Sequence, residues 1–314
     1  MTRIVLLEQI KKVLDPLQVI RSLEEGFAAY SEGRVTVPPV GHLYFDEPPG
    51  DCHIKYGYLG GSDAFVIKVA TGFYRNPDIG LPSSNGLILV FNRRTGNPEA
   101  ILLDQGWLTD ARTAAAGAVA AKYLARSKPQ GIGIIGTGTQ ARMQLEWLSY
   151  VTACREVKVW GRDIQKAELF RRGMAESPFS IRVAPHLDDL FADCDLIISA
   201  TPSREPLIHA GQIRPGTHIT AVGADGGGKQ ELDATVFEKA DVCAVDSVAQ
   251  CREYGDSSYA LRRGLITEDK LIELGRIVRN PGLGRRSEEQ ITVADLTGVA
   301  VQDIQIAKLV LESL

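Results

Sequence analysis

The sequence predicts an α/β protein in which a doubly wound parallel sheet is inserted into an α+β domain. Three observations carry this prediction. From Gly131 onward, short apolar runs alternate with helical patterns, as right-handed βαβ crossovers require. Between residues 34 and 105, β-rich runs are separated by Pro-Pro-Gly, Gly-Gly-Ser-Asp and Arg-Arg-Thr-Gly-Asn-Pro turns, which is the pattern of antiparallel sheet. The last stretch, Thr292–Leu314, reads as helix again and is expected to return to the first domain. That domain is therefore discontinuous, residues 1–126 with 292–314, around a second domain at 127–291.

Composition narrows the function classes. A chain of 314 residues can bury a large core and make two domains, and 44% hydrophobic with 24% charged residues is ordinary for a soluble globular protein. A net charge of −4 gives no electrostatic reason to expect a nucleic-acid partner. The first twenty residues are interrupted by charges every few positions, so they read as a strand and an amphipathic helix and not as a signal peptide. No run of 18 apolar residues exists, so no membrane association is expected. Cys52, Cys154, Cys194, Cys243 and Cys251 are odd in number and lack metal-ligand spacing, which suits reduced thiols in a cytoplasmic protein without a metal. The histidines form no cluster, and no Gly-x-Ser-x-Gly elbow suggests a hydrolase.

In chain order, helix is expected at about Asp15–Glu32, then strands at His53–Leu59, Ala64–Ala70, Gly86–Asn92 and Glu99–Leu103. A helix with Thr109 as N-cap should run through the alanine-rich segment to Arg126, placing Arg112 in its first turn. So much alanine implies close backbone approach to a neighbour. The parallel strands are expected at Gly131–Ile135, Glu156–Trp160, Ser180–Val183, Leu196–Ser199, His218–Val222 and Val242–Val245.

The most informative segment is Gly131–Arg142, where a buried strand runs into Gly136-Thr137-Gly138-Thr139-Gln140-Ala141 and a helix follows. Gly136 permits a sharp turn, and Gly138 offers no side chain to hold a pyrophosphate off the backbone. Ala141 is small enough for the helix to pack on the sheet, and the helix N-terminus supplies free N–H donors. Placed between this strand and this helix, the pattern points to a Rossmann-type dinucleotide site, the alternative being an ordinary turn. One βα unit later, Trp160 is followed by Gly161-Arg162-Asp163. A small residue and an arginine there favour NADP(H); alternatively Arg162 is a solvated loop residue and Asp163 holds the ribose hydroxyls as in NAD enzymes. Thr201 ends a buried strand at the sheet's carboxyl edge, where ligands sit in such folds. Asp225 precedes three glycines in the loop after the next strand, placed either to face a nicotinamide ring or simply to start a turn. Three cations lie in the first domain. Lys68 interrupts an apolar strand, and either reaches solvent from an exposed face or is buried for a purpose. Lys55 alternates similarly and is expected to be exposed. Arg112, as a cation in a first helical turn, opposes the helix dipole unless an anion binds there. Together Arg112 and Lys68 suggest a carboxylate or phosphate site.

These pieces combine. The chain resembles the ornithine cyclodeaminase/mu-crystallin family almost end to end, through Lys68–Pro77, Gly80-Leu-Pro82-Ser83, Thr95-Gly96, Leu108–Ala115 and Gly136-x-Gly138-x-Gln140-Ala141, continuing with Thr201-Pro-Ser203, Val222–Asp225, Lys229-Gln-Glu231-Leu and Asp246-Ser247. The resemblance implies a dimer-forming N-terminal domain joined to a Rossmann domain, and so a homodimer acting on a small amino or imino acid. It makes Asp225 the proton donor and acceptor at the reacting Cα–N centre. It assigns Lys68, counted also as catalytic, and Arg112 to the substrate carboxylate, with Arg112 also near the cofactor phosphates. Ser83, Thr113, Thr137, Thr139, Gln140, Gly161, Arg162, Thr201, Val222, Gly223 and Lys229 then join Gly136, Gly138 and Ala141 around the cofactor. Two departures stand out. Members that bind amino acids often carry an arginine after paired prolines, where this chain has Val37-Pro38-Pro39-Val40, and Lys55 is the candidate replacement. NAD-dependent cyclodeaminases carry an acid near position 161, whereas Gly161-Arg162 looks more like the NADPH-using ketimine reductases.

The implied activity is an NAD(P)H-dependent reductase of an imine alpha to a carboxylate, a ketimine or imino-acid reductase, with NADP(H) slightly favoured. The alternatives are an ammonia-releasing cyclodeaminase of the ornithine or lysine type, an alanine-dehydrogenase-like amino-acid dehydrogenase, and a non-enzymatic, crystallin-like cofactor-binding protein.

Overall fold

The computed structural model describes residues 2–73 and 75–314; Tyr74 of the Lys68–Pro77 motif lies outside the described residues. The chain divides into two compact units, Met1–Arg112 with Val299–Leu314, and Thr113–Gly298. The first opens with β1 (Arg3–Leu6), α1 (Leu7–Val13) and α2 (Pro16–Ser31), followed by β2 (Val35–Thr36), β3 (Gly41–Phe45), β4 (Gly50–Leu59), β5 (Ala64–Phe73), β6 (Ser84–Asn92) and β7 (Pro98–Leu103). The unit boundary falls within α3 (Trp107–Leu124). The second unit runs β8 (Ile132–Ile135), α4 (Thr139–Leu148), β9 (Glu156–Trp160), α5 (Ile164–Gly173), β10 (Ser180–Val183), α6 (Leu187–Asp193), β11 (Leu196–Ser199) and β12 (His218–Ala221). It continues through α7 (Ala234–Lys239), β13 (Val242–Val245), α8 (Val248–Tyr254), α9 (Ser257–Arg262), β14 (Leu271–Glu273), α10 (Leu274–Arg279) and β15 (Thr292–Asp295), after which α11 (Ala300–Glu312) rejoins the first unit.

The first sheet has the order β1-β7-β6-β5-β4-β2, with β3 pairing on β4. Strands β4 to β7 form an antiparallel meander, and β1 joins β7 in parallel. Strand alternation gives this sheet two different faces. The cross-strand row Lys55, Lys68, Ile88, Leu102 and Val5 is buried throughout. This is the face on which α11 packs, beside α2. The adjacent row is Tyr56, Ile67, Leu89, Ile101 and Ile4, apolar yet partly or well exposed. Helix α2 is started by Asp15, whose side chain accepts from the Gln18 N–H, and by Pro16. It buries Val19, Leu23 and Phe27 on one stripe.

The second sheet is parallel throughout, in the order β10-β9-β8-β11-β12-β15-β13-β14. Its central strands are buried at every position, which suits the apolar runs of β8, β11 and β13. Separate apolar clusters, around Leu190, Ile197 and Ile219 and around Leu145, Phe170 and Ile198, pack the sheet and its helices.

Two expectations fail here for identifiable reasons. Thr292–Asp295 is a strand between β12 and β13, and helix begins only at Ala300. Four buried residues, Thr-Val-Ala-Asp, are too few to distinguish strand from helix by periodicity. Helix α3 begins at Trp107, so Thr109 is its third residue. The start is set by Gly106 in the left-handed region (φ 84°) and by Asp104, whose Oδ2 accepts from the Leu108 N–H at 2.8 Å. Arg112 therefore sits in the second turn, and the helix-dipole argument for an anion beside it falls.

Candidate functional site

The glycine turn has the geometry its sequence predicts. Gly136 has φ 116°, donates its N–H to the Trp160 carbonyl at 2.9 Å, and a Cβ there would stand 2.5 Å from the Ala200 carbonyl oxygen. Only glycine fits. A Cβ on Gly138 would meet nothing within 4 Å, so the space beside that backbone is open. Gly138 caps α4 without any side-chain acceptor, leaving first-turn N–H groups of a ten-residue helix available to a ligand. Ala141 is fully buried where the helix meets the sheet.

Gly136, Thr137, Gly138, Gly161, Arg162 and Thr201 line one cavity of about 410 Å³, which Lys166 and Ser203 also border. Arg162 is exposed on its rim, and Asp163, which also lines it, is the N-cap of α5, its Oδ1 accepting from the Gln165 N–H (2.9 Å) and the Lys166 N–H (3.4 Å). The open glycine backbone, the uncapped helix and the two cations fit a dinucleotide. Thr139, Gln140 and Ala141 belong to α4 beside this cavity; Gln140 Oε1 accepts from Gln144 Nε2 at 3.4 Å, and the same amide donates to the Thr113 carbonyl.

The remaining second-unit positions gather at the carboxyl ends of β11 and β12. Thr201 donates both its N–H (2.7 Å) and its hydroxyl (2.8 Å) to Glu231 Oε1, and the Gly223 N–H donates to Glu231 Oε2 at 2.7 Å. Val222 is buried directly after β12. Asp225 is about half exposed (49%) and forms an ion pair with Lys229, Oδ1 to Nζ 2.6 Å. Asp225 and Lys229, given different roles by the resemblance, thus share one contact.

In the first unit Lys68, Arg112 and Asp303 form a buried charge cluster. Lys68 Nζ lies 3.3 Å from Asp303 Oδ2, and Arg112 Nε lies 3.2 Å from Asp303 Oδ1. Arg112 Nη1 also donates to Gln302 Oε1 at 2.6 Å. Two cations therefore share one carboxylate. Burial pulls the Lys68 pKa down to about 7; Asp303 opposes the shift, while the charges of Arg112 and Lys55 add to it. Burial likewise pushes Asp104 up to about 6, against the N–H bonds it accepts from Leu108 and Gly106, and Asp303 pushes it further up. Lys55 is only 7% exposed, contrary to expectation. It stands opposite Lys68 in the β4–β5 register, on the face that α11 covers, and its neighbour Tyr56 takes the exposed face. Ser83 is exposed immediately before β6, its carbonyl accepting from the Phe73 N–H.

Asp303, Glu231 and Lys166 were not singled out from sequence as site residues. Asp303 carried a signal, the one charge within the Val301–Ala307 stretch, and Lys166 lies four residues past Arg162. Glu231 offered none beyond its place in a motif, because an acid after a glycine loop reads as solvated.

A parallel sheet with a glycine turn at its carboxyl edge, joined to a mixed sheet carrying a buried basic cluster, defines a dinucleotide-binding α/β protein with a second domain. The chain belongs to the ornithine cyclodeaminase/mu-crystallin family, whose model matches residues 2–314. It is 36% identical over 313 residues to an alanine dehydrogenase of Archaeoglobus fulgidus, covering 99% of this chain and 95% of that protein. Among solved structures, Thermococcus litoralis Δ1-pyrroline-2-carboxylate reductase in complex with NADH and L-proline superposes with a TM-score of 0.93 at 31% identity, covering 99% and 97% of the two chains. An archaeal alanine dehydrogenase dimer with bound NAD gives 0.90 at 35% identity, over 99% and 95%. Among the described residues, no helix is long and apolar enough to cross a membrane.

Proposed function

We propose that this protein is a nicotinamide-dependent reductase of imines alpha to a carboxylate. The observation that carries the proposal is the buried cluster in which Lys68 and Arg112 share the single carboxylate of Asp303. An uncompensated buried cation is costly, so such a cluster is completed by an anion, and a substrate carboxylate meets that need. The similarity to a pyrroline-2-carboxylate reductase supports the imine as the reacting group.

The cofactor, when bound, supplies hydride to the C=N carbon. Gly136, Thr137 and Gly138 with the N-terminus of α4 would take its pyrophosphate, and Thr139, Gln140, Ala141, Thr201, Val222, Gly223, Ser83 and Thr113 would line it. Lys68 and Arg112 hold the substrate carboxylate and orient the imine, with Lys55 adding positive charge to the same sheet face. Asp225 delivers the proton to nitrogen, and Lys229, paired with it, keeps its carboxylate oriented. We assign NADP(H) as the preferred cofactor, because Arg162 and Lys166 bring two cations to the cavity, and Asp163, which lines it too, is held through Oδ1 as a helix cap. The same residues would serve alanine-dehydrogenase-like chemistry, the reverse half-reaction, and the family similarity supports a cyclodeaminase as a second reading.

The chain is further proposed to act as a homodimer. The partly exposed apolar row on the first sheet and the dimer described for the archaeal alanine dehydrogenase support this.

The test is a spectrophotometric screen of cyclic and linear ketimines and of amino acids with NADPH and NADH. Reduction of a ketimine is expected. Ammonia release without net cofactor turnover would instead establish cyclodeamination, and cofactor binding without turnover of any imine would leave a binding protein.

A further inference from the structure

We propose that Glu231 is a positioning residue that locks the carboxyl ends of β11 and β12 together and closes the base of the Asp225 loop. The proposal deepens the reading above and rests on its placing of a nicotinamide cofactor at this sheet edge.

Glu231 is fully buried, and its four partners are neutral donors. Oε1 accepts from the Ser199 hydroxyl at 2.6 Å as well as from both donors of Thr201; Oε2 accepts from the Gly223 N–H. Ser199 is the last residue of β11, and Gly223 lies two residues beyond β12. The carboxylate thus ties two adjacent strand ends together just past the last ladder bond, from the Val222 N–H to the Ser199 carbonyl at 3.0 Å. A buried carboxylate is costly and persists only where strong hydrogen bonds to it replace water. Two neutral strand ends need no carboxylate merely to pack.

The lock is tight. A Cβ at Gly223 would stand 2.0 Å from the Thr201 carbonyl oxygen and 2.6 Å from Glu231 Cδ, so glycine is required there by contact and not by φ. The loop from Gly223 to Glu231 carries Asp225 and, after it, three further glycines, and one residue pins both of its ends.

Glu231 is itself held. Asp256 Oδ1 accepts from the N–H groups of Glu231 (2.7 Å) and Leu232 (3.1 Å). Asp295, at the end of β15, accepts in turn from the N–H groups of Asp256 (3.2 Å) and Ser257 (2.8 Å). Because β15 neighbours β12, three buried carboxylates in series fix the carboxyl ends of three adjacent strands. Of these residues only Thr201 reaches the Arg162 cavity and the Gly136 turn, so the lock acts chiefly on the edge from Thr201 to Gly223.

The experiment compares binding of NADH and of ADP-ribose, which lacks the nicotinamide, to wild type and Glu231→Gln by calorimetry. Glutamine keeps the shape but turns one acceptor into a donor facing donors. A loss of about ten-fold in NADH affinity is expected, with ADP-ribose changed less than about two-fold. Equal weakening of both ligands, or no weakening of either, would overturn the proposal, since a merely structural defect does not discriminate between them. Should Glu231→Gln fail to fold, Ser199→Ala removes one donor and spares the carboxylate; the same asymmetry is expected at about three-fold, and its absence overturns the proposal. Failure of wild type to reduce any ketimine would overturn the activity reading while leaving the asymmetry measurable. Failure of wild type to bind both NADH and NADPH would overturn both.

Discussion

Lys68 and Asp303 are the residues whose individual chemistry can be tested most directly. The folded-state pKa of Lys68, about 7, lies below its ordinary 10.5, so between those values the unfolded chain binds more protons than the folded one. Stability from this group therefore rises with pH through that window: it is fully present above about 10.5 and is lost as pH falls toward 7. Substrate capture has the opposite sign, because a carboxylate ligand needs the ammonium. The expected kcat/KM for a carboxylate substrate falls above about pH 7, and Lys68→Arg, whose guanidinium stays charged, removes that fall. A pH profile of both enzymes that kept the same descending limb would exclude Lys68 as its source. Asp303→Asn tests the other half of the cluster. It leaves Lys68 and Arg112 buried without their shared carboxylate, and a loss of about 3–5 kcal/mol in denaturant unfolding is expected. At this scale the sequence was only half legible. Lys68 announced itself as a charge within an apolar strand, but Lys55 looked solvated because alternation fixes which residues share a face and not which face is covered. Asp303 lies 235 positions after Lys68, and no local spacing could join them.

Elements that depend on a local rule were read correctly, and those set by tertiary context were not. The β8–turn–α4 unit is local: Gly136 must adopt φ 116°, and the residues that permit it are adjacent in sequence. The parallel strands from β9 to β13 fell where continuous apolar runs bounded by turns placed them. The start of α3 was missed because Asp104 and Gly106, not the better-looking cap Thr109, supply the bond and the turn that begin it. Strand β15 was missed because it inserts between β12 and β13, a pairing set by the whole sheet. The start of helix α5 is where the proposed NADP(H) preference is tested. Arg162 lies just before it and Lys166 in its first turn, with Asp163 as the cap between them. A charge-assisted phosphate contact is worth about ten-fold or more in affinity. Arg162→Ala is accordingly expected to weaken NADPH by at least that factor while leaving NADH within about two-fold, read by cofactor fluorescence titration. Equal effects on the two cofactors would remove the basis for an NADP(H) preference.

For the molecule as a whole, the unexplained quantity is apolar surface. The first sheet buries one row, Lys55 to Val5, and leaves the adjacent row, Tyr56 to Ile4, with Tyr56 38% and Ile4 61% exposed. Leu6 and Leu103, the last register pair of β1 and β7, add a further pair that is 54% and 37% exposed. Scattered exposed apolar residues are normal, but a run continuous across five strands is not, and surfaces of this kind mark an interface. A second copy of the chain is the occupant that fits, since one self-complementary patch closes a two-fold dimer without generating a fibre. Replacing Ile4 and Leu103 with glutamate puts two charges into the centre of that contact, where each would be desolvated without a partner, and neither residue belongs to the basic cluster or the nucleotide turn. Sedimentation equilibrium of the unsubstituted protein should give twice the chain mass, and the double variant the chain mass, with NADH binding retained because the second unit is untouched. A variant that remained dimeric would place the interface elsewhere, and a wild-type monomer would leave that apolar face to a different partner.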